Sequence, residues 1–143
     1  MRDVTLPTPV AERVLDLVAR IPPGRVMAYG DIAAYFTDLA DEAAEAGPDA
    51  GLGDPKELRL GPRQVGRVMS HFGGGVPWWR VLRADGTHAP GLEVEGVARL
   101  RAEGTPMRAG GTKVDMAKAR WDGVERDEPG GDGAGAEDGA DVS

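Results

Sequence analysis

Breaks rich in glycine and proline limit this chain to short helices and strands. Pro22-Pro23-Gly24 ends a first helical segment, glycine and proline recur from Gly47 to Pro55, and Gly73-Gly74-Gly75 ends a later segment. Proline inside a helix and runs of glycine both oppose helix continuation. With 143 residues, the sequence therefore predicts one small domain, with room for additional segments outside it.

Two helices are predicted before the long central break. In the first, Thr8 is a suitable N-cap and Pro9 suits the first helical position. Its apolar residues recur at helical spacing and form one face: Val10, Val14, Leu17, Val18 and Ile21. Asp31 favours the start of a second helix, because a negative charge is stabilised near a helix N-terminus. Residues 37–57 hold seven acidic residues and one lysine, which predicts a helix extension followed by a mobile acidic loop.

A third helix is predicted to begin near Gly61-Pro62. Arg59, Arg63 and Arg67 are spaced four residues apart, so we expect them to share one face of this helix. Two helices, the second with an exposed basic face, indicate a helix-turn-helix in which residues 37–57 form an unusually long connection.

Short strands are predicted after the triple glycine. Residues 76–82 favour a strand, Asp85-Gly86 favours a hairpin turn, and the following residues favour a wing-like return. A last helix is predicted over residues 94–103, with Val97 and Leu100 facing inward. Together these elements predict a small winged-helix-like α+β domain.

Charge is distributed unevenly along the chain. Residues 122–143 contain eight acidic residues and one arginine, and so carry the whole formal net charge of −7. Because that segment has almost no large apolar residues, we expect a domain over residues 1–121 and a disordered acidic tail over 122–143. Residues 58–84 contain five arginines and no acid. This favours phosphate binding, with a solvated arginine-rich surface as the alternative.

Several classes of site are excluded or disfavoured by composition. There is no cysteine, so disulfides, thiolate metal sites and thiol nucleophiles are excluded. Two histidines far apart in sequence disfavour a catalytic zinc site, and no metal or cofactor is expected. No apolar run approaches the roughly 20 residues of a membrane span, and the N-terminus lacks the apolar core of a secretory signal. We expect a cytoplasmic, nucleoid-associated protein with no membrane partner.

Three motifs together resemble a known family. They run from Ile21 to Ala33, from Pro62 to Met69 and from Val76 to Leu82, with Glu103-Gly104 behind them. Taken singly, their aromatic residues are compatible with ordinary packing. In this order, the motifs resemble the DNA-binding domain of O6-alkylguanine-DNA alkyltransferases, whose Pro-Cys-His-Arg-Val motif accepts the alkyl group on cysteine. In that family the histidine activates the cysteine, with a glutamate behind it.

The resemblance implies nucleotide flipping without chemistry. Trp78 stands at the cysteine position, as in alkyltransferase-like proteins, which carry Pro-Trp-His-Arg or a close variant. Trp79 stands at the histidine position, so no catalytic residue is assigned. The residue matching Arg63 is a finger that takes the place of the flipped nucleotide, and the residue matching Tyr29 helps rotate the phosphate. The implied lesion contacts are Tyr29, Arg63, Pro77, Trp78, Trp79, Arg80 and Val81. Further phosphate contacts are expected from Arg59, Arg67 and Arg83.

The function implied is a monomeric, non-enzymatic protein that binds O6-alkylguanine in duplex DNA and directs it to nucleotide excision repair proteins. Without cysteine, alkyl transfer to a thiol is excluded, and an indole can act neither as base nor as nucleophile. Glu103 is expected to be a structural hydrogen-bonding residue. Two alternatives stay open: a winged-helix transcription factor, and an enzyme acting on alkylated bases through Glu103 or Asp85.

Overall fold

A computed structural model describes residues 8–124. Its elements are α1 (Pro9–Arg20), β1 (Met27–Ala28), α2 (Tyr29–Ala46), α3 (Pro55–Leu58), α4 (Pro62–Phe72), β2 (Val81–Leu82), α5 (Glu93–Ala102) and α6 (Met116–Ala119). Single 3-10 turns occur at Pro48–Ala50, Gly73–Gly75 and Trp78–Arg80. The predicted small α+β domain is confirmed.

The helices begin where local capping residues allow. The Thr8 hydroxyl accepts a hydrogen bond from the Ala11 amide at 3.1 Å, and α1 ends before Pro22-Pro23-Gly24. Asp31 lies in the first turn of α2 and accepts from the Ala28 amide at 2.9 Å. These contacts satisfy amide groups that lack partners within the helix, as the sequence predicted.

The main core lies between α1, α2 and α4. Its largest fully buried members include Leu17, Ile32, Phe36 and Val65. A smaller cluster joins β2 to α5 and the C-terminal segment through Val26, Leu82, Leu100, Val114 and Ala119. The region around residues 78–81 is therefore supported from both sides.

The predicted hairpin is wrong in its pairing. A tight turn does form at Asp85-Gly86, where the Arg83 amide donates to the Thr87 carbonyl at 2.8 Å and Gly86 has a φ of +87°. However, β2 pairs with β1 in parallel, with Met27 opposite Val81, and residues 78–80 form a 3-10 turn instead of a strand. The cause is burial: both β2 residues are almost fully buried, which suits an internal parallel partner.

The acidic insertion is attached to the domain. As predicted, α2 extends into it, reaching Ala46. Its later part is anchored by Leu58, which is 1% exposed, and by the Leu52 carbonyl, which accepts from Arg13 at 2.7 Å. Arg59 follows α3 and lies outside α4, so the predicted shared helix face holds for Arg63 and Arg67 alone.

A C-terminal segment closes the domain in a way that the sequence did not indicate. Met107 bridges Val114 in antiparallel fashion, and Arg120 bridges Val26 in parallel. Trp121 is 5% exposed and packs in the main core. Of the predicted acidic tail, residues 125–143 lie outside the described residues.

Candidate nucleic-acid interface

A cavity of about 490 Å³ lies where α2 begins, beside α4 and the Trp78–Arg80 turn. Tyr29, Trp78 and Val81 line it, together with residues of the loop that leads to α5. Grooves of about 670 and 720 Å³ lie elsewhere and include none of these three residues. Residue chemistry, not size, therefore assigns the candidate site to the smaller cavity.

The rings of the two adjacent tryptophans contact different parts of the domain. Their rings meet edge to face, with centroids 5.7 Å apart and planes at 86°. Trp78 lines the cavity, whereas the Trp79 indole N–H donates to Glu103 at 2.9 Å. The Arg99 guanidinium lies 4.6 Å from the Trp79 ring centroid, a cation–π distance. The 3-10 turn thus directs one ring to the cavity and the other to α5.

Glu103 is the centre of a buried hydrogen-bonded cluster. Its two oxygens accept from Arg80 Nε at 3.0 Å and from Arg80 Nη2 at 2.5 Å, in addition to Trp79. The side chains of Arg80 and Glu103 are 12% and 17% exposed. Burial opposes ionisation of Glu103, but the hydrogen bonds from Arg80 and Trp79 outweigh it and lower the pKa of its carboxyl. Glu103 therefore has the structural role expected of it.

The geometry gives Arg80 an internal role. Besides Glu103, its guanidinium donates to the Ile21 carbonyl at 2.7 Å, which ties the turn to the end of α1. Neither Arg80 nor Trp79 lines the cavity, and Pro77 precedes the turn without lining it. The direct lesion contacts predicted for these three residues stay predictions, and an indirect role through the position of Trp78 fits their surroundings better.

Tyr29 lines the cavity at the start of α2. It is the first residue of α2, half-buried, and close enough to Gly66 that a methyl group there would lie 4.0 Å from the ring. Burial raises the pKa of Tyr29, with the positive charge of Arg83 opposing that effect. The hydroxyl therefore keeps its proton at neutral pH and can donate to a phosphate oxygen.

The arginines differ in whether their side chains have hydrogen-bond or ion-pair partners. Arg63 and Arg67 are exposed on α4 and form no side-chain hydrogen bond or ion pair within residues 8–124. Arg59 pairs with Asp41 at 2.8 Å, and Arg83 donates to the Thr87 hydroxyl at 3.1 Å. The face of α4 that holds Arg63 and Arg67 therefore carries uncompensated positive charge, as phosphate binding requires.

His88 is a cavity residue that sequence reasoning missed. It is 2% exposed, its Nε2 donates to the Trp79 carbonyl at 2.9 Å, and its ring lies edge to face with Trp78 at 6.2 Å. Gly96 leaves room for it, because a methyl group there would lie 2.4 Å from Nε2. Burial lowers the pKa of His88, against the opposing effects of the Trp79 carbonyl and the charge of Glu93. No sequence spacing signals this contact, since the turn after β2 creates it.

Two further observations concern the described part of the chain. Within residues 8–124, no group of three His, Asp or Glu side chains is arranged to hold a metal ion. No helix in the same range combines the length and apolarity needed to cross a membrane.

Comparison with known proteins points to one family. Residues 9–105 match the model of the 6-O-methylguanine DNA methyltransferase DNA-binding domain. Over 115 residues the chain is 33% identical to the DNA base-flipping protein of Escherichia coli K12, covering 77% of this chain and 72% of that protein. The DNA base-flipping protein of Shigella flexneri matches equally well.

Solved structures resemble the fold over most of its length. One is S. pombe Atl1 in complex with damaged DNA containing O6-carboxymethylguanine, at 28% identity and a TM-score of 0.53, covering 78% of this chain and 94% of that one. A second, S. pombe ATL in complex with DNA, has a TM-score of 0.52 at the same identity, covering 78% and 93%.

Proposed function

This chain belongs to the 6-O-methylguanine DNA methyltransferase DNA-binding domain family as an alkyltransferase-like member, and we propose that it is a non-enzymatic sensor of O6-alkylguanine in duplex DNA. In this proposal, the protein acts as a monomer. It holds the damaged base flipped into the cavity beside Trp78 and leaves the base unaltered for nucleotide excision repair.

The observation that carries the proposal is that α4 both lines the cavity and carries Arg63 and Arg67, which are exposed and unpaired within residues 8–124. Flipping a nucleotide costs a few kcal/mol of lost stacking and pairing, least for a damaged base. Arg63 is exposed and unengaged within the described residues, so its planar guanidinium is available to enter the duplex and fill the gap. The Tyr29 hydroxyl supplies a phosphate contact, and the Trp78 indole supplies an aromatic wall for the extruded base.

The surroundings of the two carboxylates disfavour an enzyme. Glu103 is held ionised by Arg80 and Trp79, so it lacks the proton that a general acid would deliver. Asp85 is exposed in the turn after β2, where a hydrogen bond from the Thr87 hydroxyl is the main cause of its lowered pKa. Neither residue lines the cavity. The absence of cysteine from the sequence excludes transfer of the alkyl group to a thiol.

The deciding experiment compares three matched duplexes that differ at one base: guanine, O6-methylguanine and adenine. Binding is measured by fluorescence anisotropy, and flipping by the emission of a 2-aminopurine placed beside the test base. We expect tighter binding and higher emission with O6-methylguanine. Equal affinity for all three duplexes, or a preference that follows the flanking sequence instead of the lesion, would favour the transcription-factor alternative.

A second experiment addresses chemistry and handover. DNA carrying a radiolabelled O6-methyl group is incubated with the protein and then separated, and we expect the label to stay on intact DNA. Since the lesion leaves the complex unaltered, repair must depend on other proteins. Adding this protein to a reconstituted nucleotide excision reaction should therefore increase incision beside O6-methylguanine. Unchanged incision would remove the handover from the proposal.

A further inference from the structure

We propose that the cavity selects uncharged alkyl groups on guanine O6 and rejects anionic ones such as carboxymethyl. This inference deepens the proposed function, since it names the class of lesion that the same site accepts. It depends on the side chains that line the cavity, and on where the neighbouring cations direct their guanidinium groups.

No charged side chain lines the cavity. Its twelve lining residues include no Asp, Glu, Lys or Arg. One wall is formed by His88, Ala89, Pro90 and Leu92, and Trp78 faces the same space. The lining histidine is buried, and burial disfavours its protonated form. A carboxylate placed here loses water and gains no cation, which is the costly case for a buried charge.

Three arginines near the Trp78–Arg80 turn and α5 have partners within the protein. Arg80 is bound to Glu103 and to the Ile21 carbonyl, and Arg99 pairs with Glu95 at 2.9 Å while it covers Trp79. Arg83 donates to the Thr87 hydroxyl, and its positive charge also acts on Tyr29. Under the proposed function, the Arg63 side chain fills the gap that the flipped nucleotide leaves in the duplex. None of these four side chains lines the cavity beside Trp78.

The alkyl substituent must lie close to Trp78. In alkyltransferases the alkyl group passes to the cysteine at this position, so a base held in the same way presents its O6 substituent here. Trp78 meets the His88 ring edge to face, with centroids 6.2 Å apart, and its Cβ lies beside Gly73, and both of these neighbours are uncharged at neutral pH. The selection therefore acts at the substituent and not at the guanine ring.

The fold alone does not impose this selection. The S. pombe relative, which is 28% identical to this chain, is bound to DNA containing O6-carboxymethylguanine. The discrimination that we propose must come from the particular side chains that line the cavity, among them those of the loop between β2 and α5. That loop is accordingly where a substitution should alter it.

The test uses the full chain and four duplexes carrying guanine, O6-methylguanine, O6-carboxymethylguanine or O6-carbamoylmethylguanine. The carbamoylmethyl group matches carboxymethyl in size but is neutral, so the pair separates charge from bulk. We expect both neutral adducts to bind more tightly than guanine, and carboxymethyl to bind at least about tenfold more weakly than carbamoylmethyl.

A substitution that adds a cation to the cavity wall tests the same charge selection by changing the protein instead of the DNA. Leu92 lines the cavity and is 43% exposed, so Leu92→Arg adds a cation at the wall without opening the core. It should raise the ratio of carboxymethyl to carbamoylmethyl affinity several-fold. Leu92→Gln controls for length and polarity. Val94→Arg, at a residue 87% exposed and outside this cavity, controls for general attraction to DNA.

The outcomes separate the two proposals. Equal affinity for carboxymethyl and carbamoylmethyl would overturn the charge selection and leave lesion recognition intact. Equally weak binding of both would mean selection by size, which also overturns it. If none of the three adducts is preferred over guanine, the proposed function itself fails. If Val94→Arg changes the affinity ratio as much as Leu92→Arg, the selection does not arise at this cavity wall.

Discussion

Replacing Glu103 with glutamine tests whether this carboxylate holds the site together instead of taking part in chemistry. Glu103 accepts hydrogen bonds from Trp79 and, through both oxygens, from Arg80. Glutamine keeps the shape of the side chain but has one acceptor oxygen and no charge. The Arg80 guanidinium then stays mostly buried, with the Ile21 carbonyl and at most one glutamine oxygen as acceptors among the partners described.

The size of the loss follows from burial. Removing one partner of a buried ion pair costs about 3–5 kcal/mol, because the other charge is left uncompensated. Glu103 is 17% exposed and glutamine retains one hydrogen bond, so we expect the lower end, about 3 kcal/mol. For a domain of this size, each kcal/mol lowers the melting temperature by roughly 4 °C, which predicts a fall of about 12 °C.

Thermal unfolding followed by circular dichroism measures this loss. Glu95→Gln is the matched control, because the Glu95–Arg99 pair has a similar length of 2.9 Å but side chains that are 59% and 48% exposed. Exposed pairs contribute about 0.3–0.5 kcal/mol, so this variant should melt within roughly 2 °C of the parent. A Glu103→Gln protein as stable as the control would refute the structural role. A Glu103→Gln protein that is folded but no longer prefers the lesion would indicate that Glu103 acts directly in lesion recognition.

Three more predictions follow from the site and the charge distribution. Arg63→Ala should weaken binding to O6-methylguanine duplexes by about 1–3 kcal/mol in a titration, whereas Arg20→Ala, at an exposed residue in the last turn of α1 that does not line the cavity, should change it little. Removing residues 125–143, which hold seven acidic residues and one arginine, should leave the melting temperature unchanged and strengthen DNA binding at low salt, and this gain should shrink as added salt shortens the electrostatic range to about 10 Å at 0.1 M. Lowering the pH from 7.5 to 5.5 should reduce the melting temperature, because the lowered pKa of His88 makes its neutral form favour the folded state, and that stability is lost as pH falls below the ordinary histidine pKa. The reduction should be smaller in His88→Gln and unchanged in His71→Gln, at an exposed residue.

Features set by neighbouring residues were predictable from the sequence. Thr8 and Pro9 fix the start of α1, and Pro62 fixes the start of α4, because capping and the fixed φ of proline act within one helical turn. The assignment of Trp78 and Tyr29 to one site was also predictable, since three motifs in order indicated the family. The cavity that they share agrees with that assignment.

Features set by distant residues were not predictable. The partner of β2 is β1, more than fifty residues earlier in the chain, and no local signal distinguishes this pairing from a hairpin. Arg59 matches the spacing of the α4 arginines, but the chain turns before Pro62 and leaves it beside Asp41. His88 meets Trp78 because the turn at Asp85-Gly86 reverses the chain, which composition cannot reveal.

The two tryptophans differ from the residues that the resemblance places at their positions. Trp78 stands where alkyltransferases have the alkyl-accepting cysteine, and Trp79 stands where they have the histidine that activates it. An indole N–H can donate a hydrogen bond and cannot accept a proton, so the contact to Glu103 at 2.9 Å stabilises the ionised carboxylate without relaying charge toward position 78. The same contact fixes the Trp79 ring between Arg99 and Arg80, and its carbonyl holds His88 against Trp78. Under the proposed function, the two tryptophans thus form a rigid support for the cavity wall in place of a reactive relay.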